Sequence, residues 1–189
     1  MRRIAVVLLL LTAALAVVAQ TPHDAGVSLA LAQHRAATIH DLEYHLSFVI
    51  PDDKQADIEA VETVRFRLDA PDEVVLDFRE DAAKILSVVN AKNNRPLDWR
   101  HENEHIVIPK KATRRGLNQI RIAFVAGNQS LNRSDEYMYT LFVPDRARTC
   151  FPCFDQPDLK ALFALTLDIP GEWTAVANEP LKEVAEAAK

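Results

Sequence analysis

The sequence predicts an all-β fold, a single antiparallel β-sandwich, on three observations. Apolar residues alternate with polar ones at a period of two in segment after segment. Proline, Asp and Asn turn signals close those segments at short intervals, the spacing of a sandwich or barrel rather than of βαβ units. Helical periodicity is confined to Leu181–Lys189. The 189 residues are enough for one ordinary domain, and a charged fraction of 26% beside 49% apolar residues excludes a disordered chain. Four glycines and two cysteines exclude a collagen-like fibre and a disulfide scaffold. A net charge of −5, a pI near 5.7 and the lack of a basic patch exclude nucleic acid as the main partner.

The segments follow in order. Arg2 and Arg3 precede an apolar run from Ile4 to Val18, and Val17 and Ala19 supply small residues for cleavage, so residues 1–19 read as a secretory signal peptide. The run is shorter than the ~18 residues of a spanning helix. Its removal takes away two arginines, brings the charge to −7, and leaves an exported, periplasmic or extracellular product with no membrane partner. Residues 20–40 read as a linker or arm. The sandwich is assigned to residues 41–178, with alternations at Leu42–Ile50, Ile58–Leu68 and Val74–Phe78, each stopped by a turn. Ile85–Ala91 is a short strand, Leu97–Arg100 and His105–Ile108 are two arms of a hairpin, and Ile120–Ala126 is the next alternation. Gly127–Glu136 reads as a polar loop, followed by strands at Tyr137–Val143, Ala161–Ile169 and Trp173–Ala177. Residues 179–189 form a charged, helix-like tail.

His101-Glu102-Asn103-Glu104-His105 fits H-E-x-x-H, the zinc-peptidase signature. That chemistry needs a helix, where positions i and i+4 put both imidazoles on one face and the glutamate can activate a zinc-bound water. Here Ile106-Val107-Ile108-Pro109 follows as a strand, and the position 19 residues after the second histidine, where a third ligand would stand, is Phe124. His101, Glu102 and His105 therefore read as an accidental match on a solvated turn, with no metal ligand among them. Cys150 and Cys153 form a C-x-x-C without the helix start of a redox pair and without the second pair of a structural zinc site. Buried thiols, or a local disulfide requiring a turn at Pro152, remain open for them. The sequons at Asn128 and Asn132 mark a surface loop. Asp155, Asp158 and Asp168 read as solvated turn residues, and Trp99 and Trp173 as packing.

Residues 137–178 contain Ala147-Arg148, then Phe151-Pro-Cys-Phe-Asp-Gln-Pro157, then Lys160-Ala161 and a strand, then Trp173-Thr-Ala-Val-Ala-Asn178. This stretch resembles the aminopeptidase N family of zinc metallopeptidases, and the resemblance extends over residues 41–178. It implies a saddle-like N-terminal β-sandwich lacking its last strands and truncated before the catalytic domain. The zinc, its ligands and the catalytic groups belong to that second domain, so this chain holds no cofactor and no catalytic residue. The partners implied are the missing catalytic domain or downstream chain, with peptide substrate bound only in the full enzyme. The resemblance also places Val143, five residues before Arg148, where many members carry a Gln or Glu that binds the substrate's α-amine. Valine cannot accept that hydrogen bond, and Asp145 lies nearby. The function implied is that of an inactive N-terminal domain of an exported aminopeptidase. The alternative is a stand-alone exported β-sandwich that binds a protein or peptide.

Overall fold

The computed structural model describes residues 23–185, so the signal-peptide reading of residues 1–19 and the last four residues of the tail lie outside the described residues. Helix α1 (Leu29–Thr38) opens the described chain. Ten strands follow: β1 (Ile39–Val49), β2 (Glu59–Leu68), β3 (Val74–Asp77), β4 (Ile85–Asn90), β5 (Arg100–Glu102), β6 (His105–Ile108), β7 (Gly116–Val125), β8 (Leu131–Arg133), β9 (Met138–Thr140) and β10 (Leu162–Asp168). They form a five-stranded sheet in the order β10-β1-β2-β7-β4, a three-stranded sheet β3-β6-β5 and the hairpin β8-β9.

The large sheet follows directly from the alternation. In β2 and β7 every second residue is buried, and the register pairs Ala60 with Phe124, Val64 with Ile120 and Phe66 with Asn118. A bulge between His40 and Glu43, with Asp41 at φ 49°, resets β1 so that Leu42, Tyr44, Leu46 and Phe48 face inward. The inner face of this sheet meets Val74, Leu76, Phe78, Ile106 and Ile108 of the small sheet in one core, with Phe78 edge-on to Phe124 at 5.7 Å.

Strands β3 and β6 are buried on both faces, which alternation alone does not explain. Their second face is covered by α1. Ser28 caps the helix, its hydroxyl accepting from the Leu31 N–H, and Leu31 and Arg35 stand four residues apart on one side. Leu31 packs on Val75 and Val107 as a small second core. Residues 23–38 are thus a third layer and not a linker. The helical pattern was hidden because the buried face is one leucine and one arginine.

Other expectations are corrected. The Gly127–Glu136 loop contains β8, and the first hairpin arm is Arg100–Glu102, two to three residues later than expected. Trp173–Ala177 forms no strand, although Trp173 packs against the core, and Leu181–Ala185 forms no helix. The sheet is not wholly antiparallel. Strand β10 pairs parallel with β1, Glu43 opposite Leu162 through Val49 opposite Asp168. It reaches that edge after a long excursion through β8, β9 and the Cys150 loop, the kind of connection a parallel pair requires. Gly127 lets two of these loops touch, since a Cβ there would lie 2.1 Å from the Thr149 carbonyl oxygen.

Glu62 is the exception in the core. It sits on the central strand β2, opposite Leu46 and Ile122, fully buried, with no hydrogen-bond partner for either carboxyl oxygen among the described residues. Burial pushes its pKa well above the ordinary carboxylate range. A folded pKa above the unfolded one means that folding takes up a proton, so the domain loses stability as pH rises above the free-glutamate value. Glu62→Met is expected to gain about 1–3 kcal/mol at pH 7 and to flatten that decline, read by urea denaturation between pH 4.5 and 8. An unchanged pH slope would contradict this.

Candidate functional site

The two-residue loop Asn103-Glu104 joins β5 to β6 with φ of 46° and 71°, the left-handed pair of a type I′ hairpin turn. His101 consequently lies on β5 opposite Ile106, and His105 on β6 opposite Glu102. The H-E-x-x-H residues do not converge. His101 Nε2 is 3.3 Å from the Phe78 carbonyl, Glu102 is paired with Arg100, and His105 is engaged elsewhere. Among the described residues no group of three or more His, Cys, Asp or Glu is placed to hold a metal ion. The zinc that the resemblance implies therefore finds no fitting donor set among the described residues.

The expectation that fails is the solvated turn. His105 is completely buried at the centre of a polar cluster built from four parts of the chain. Asp77, at the end of β3, takes a fork from Arg35, Nη2 to Oδ1 at 2.6 Å and Nη1 to Oδ2 at 2.9 Å. His105 Nδ1 stands 2.9 Å from Oδ1 of the same carboxylate. The Asp155 N–H donates to Oδ2 at 2.8 Å. Arg35 Nη2 also donates to the Val75 carbonyl at 2.8 Å, and the guanidinium lies 5.4 Å over the Phe154 ring. Burial works against the Asp77 charge, but His105 and Arg35 outweigh it and hold its pKa below the ordinary value.

Asp77 also sets the motif loop. Its backbone N–H donates to the Cys153 carbonyl at 2.7 Å and its carbonyl accepts from the Cys153 N–H at 3.0 Å. The Tyr44 hydroxyl accepts the Phe154 N–H at 2.9 Å, and Gln156 reaches the Ala32 carbonyl of α1 at 3.1 Å. Cys150 and Cys153 are free thiols inside this packing, so the disulfide left open by the C-x-x-C is not formed. Burial pushes Cys150 up to about 12 and raises Cys153 as well, which keeps both protonated and poor nucleophiles. Arg148 is buried, its backbone N–H donating to Asp155 and Nη2 to Asp145 at 2.9 Å. Asp155 is half-buried rather than solvated, while Asp158 and Asp168 are exposed as expected.

Val143 is 84% exposed, beside Pro144 at the rim of a cleft of about 310 Å³. Tyr44, Phe151, Phe154 and Phe163 supply apolar walls, and Asp155 and Gln156 the polar groups. A valine at the rim offers no acceptor, and Asp145 is already bound to Arg148. Sequence reasoning missed Arg35, Asp77 and the role of His105. The one available signal was Asp77, an acidic residue closing the apolar run Val74-Val75-Leu76.

Removing a buried carboxylate strands the cations around it. Asp77→Ala is expected to cost about 3–5 kcal/mol by urea denaturation, whereas Arg35→Met combined with Asp77→Leu should cost clearly less. Equal losses in the two proteins would show that the cluster contributes packing rather than charge.

Residues 40–189 match the family described as the Peptidase M1 N-terminal domain. Aminopeptidase M1-A of Oryza sativa subsp. japonica is 40% identical over 79 residues, 41% of this chain and 9% of that protein. Aminopeptidase N of Streptomyces lividans is 52% identical over 48 residues, 25% of this chain and 6% of that protein. These matches thus span less than a tenth of the relatives' length. Among solved structures, native yeast LTA4 hydrolase has a TM-score of 0.60 at 17% identity, covering 75% of this chain and 27% of that one. The M1 zinc metallopeptidase from Deinococcus radiodurans has a TM-score of 0.54 at 16% identity, covering 69% and 32%. At such identities the structural likeness speaks to the fold, and it is the same β-rich fold. The family match takes in β1 from its second residue, the nine other strands and the whole Arg148–Ala161 loop, and on that ground this chain belongs to the Peptidase M1 N-terminal domain family.

Proposed function

We propose that this chain is the N-terminal, non-catalytic domain of an exported zinc aminopeptidase that removes N-terminal residues from peptides. The observation that carries the reading is the family match over residues 40–189. Two structural features support it. The H-E-x-x-H histidines diverge, so zinc and its chemistry would be supplied by a different part of the enzyme. Strand β10 is largely exposed along its length, with Leu162, Phe163 and Leu165 in solvent beside the Val143 cleft, and such an apolar surface suits further polypeptide. In this reading the domain bounds the substrate site from one side. Val143 gives that side an apolar rim where many family members offer a hydrogen-bond acceptor, leaving the α-amine to be recognised by other groups. Export rests on the sequence pattern of residues 1–19.

The purified chain is expected to retain no zinc after dialysis against a weak chelator and to hydrolyse no aminoacyl anilide. Fusion to the catalytic domain of an M1 relative should restore hydrolysis that the chelator abolishes. Expressed with residues 1–19, the chain should leave the cytoplasm and begin at Gln20 by N-terminal sequencing. About one zinc per chain, lost in His101→Ala, would overturn the non-catalytic reading. A fusion that folds but stays inactive, beside a monomer that unfolds cooperatively by itself, would favour a stand-alone binding module.

A further inference from the structure

His105 has an acceptor at each ring nitrogen. Nδ1 faces the Asp77 carboxylate at 2.9 Å, and Nε2 is 2.9 Å from the Asp24 carbonyl oxygen on the arm preceding α1. A carbonyl and a carboxylate can only accept, so a neutral imidazole would set a lone pair against one of them. Only the imidazolium donates from Nε2 and also sets a positive charge against the carboxylate, which Nδ1 meets as an ion pair outside hydrogen-bond alignment. The other groups around it fit that state. From the arm come Arg35, bound to the same carboxylate, and His23, edge-on with ring centroids 6.0 Å apart. Across the hairpin Glu102 lies opposite His105, accepts weakly from the His23 N–H and pairs with Arg100. From the motif loop Asp155 donates only its backbone N–H to Asp77. Two more pairs cross the same seam, His23 with Glu73 at 3.1 Å and His34 with Asp72 at 2.8 Å.

We propose that residues 23–38 form a pH-gated latch, held on the small sheet by His105 while its imidazole is protonated and loosened when the proton leaves. Burial alone would disfavour the charge, but the Asp77 and Asp24 oxygens outweigh it and raise the His105 pKa above the ordinary value. The stabilisation is therefore complete below the free-histidine pKa and is lost as pH rises through the docked one. The exposed His34 pair adds little of its own. Because α1 also holds Gln156 and lies under the Phe154 loop, opening the latch frees the loop that lines the Val143 cleft. Alkalinity would thus soften the cleft while leaving the central sheet intact.

The test is amide hydrogen exchange on the full chain between pH 5.5 and 8.5, corrected for intrinsic rates. Protection in residues 29–38 is expected to fall by about tenfold per pH unit between the free and docked histidine pKa values and to stay below that of β2 and β7, which report the global unfolding that Glu62 and His105 also weaken as pH rises. His105→Gln keeps a donor without the charge and should show weak arm protection at both ends of the range. A wild-type arm whose protection is constant with pH, or a His105→Gln slope equal to the wild type's, overturns the latch. Should that variant not fold, the wild-type His105 ring titration by NMR decides. A midpoint above the free-histidine value upholds the latch, and one at or below it overturns it.

Discussion

The fold turns on one buried carboxylate. Asp77 ends β3, and from that position it binds the arm through Arg35, the hairpin through His105 and the motif loop through the N–H groups of Cys153 and Asp155. The hairpin and the motif loop are also held by core residues, Ile106 and Ile108 in one and Phe151 and Phe154 in the other. The arm contributes one small apolar cluster, and the Phe151–Gln156 loop has no regular structure. A charge removed from water is costly, and here the cost is offset only because a fork of guanidinium donors, a backbone amide and an imidazole at ion-pair distance converge on two oxygens. Such a cluster adds little net stability compared with an apolar core. It does dictate where three chain segments lie.

The core around this cluster treats its other polar side chains in different ways. Cys150 and Cys153 behave as small apolar residues, enclosed and protonated. Tyr44 is buried by its ring while its hydroxyl accepts the Phe154 N–H, stacked on Phe163 at 5.0 Å. Glu62, on the central strand, has a partner for neither carboxyl oxygen among the described residues. Two buried acids on neighbouring layers thus sit at opposite extremes, one fully satisfied and ionised, the other isolated and driven towards its neutral form.

The large sheet was legible from period-two alternation, because one wet face and one dry face impose it. β3 and β6 were found as strands, but their second buried face was not, since the covering helix leaves Leu29 and several alanines exposed and buries only Leu31 and Arg35, so no amphipathic pattern marks it. The H-E-x-x-H lay on a hairpin as expected, and the two left-handed residues of its turn are what separate the histidines. Burial of His105 was not legible, because it depends on a helix 70 residues earlier in the chain. The direction of β10 was also hidden, since alternation specifies a face and not a neighbour. Val143 was found through resemblance alone, and only the fold shows it at the mouth of a cleft.

The arm has a consequence for where this domain is taken to begin. The family match starts at His40, at the second residue of β1, and leaves α1 outside. A protein cut at that boundary would carry every strand and still be incomplete. Val75 and Val107 would meet water on what had been an interior face, and Asp77 would lose its arginine. Boundaries drawn from shared sequence follow what relatives have in common. In this molecule the outermost wall of the interior comes from residues that precede the matched part.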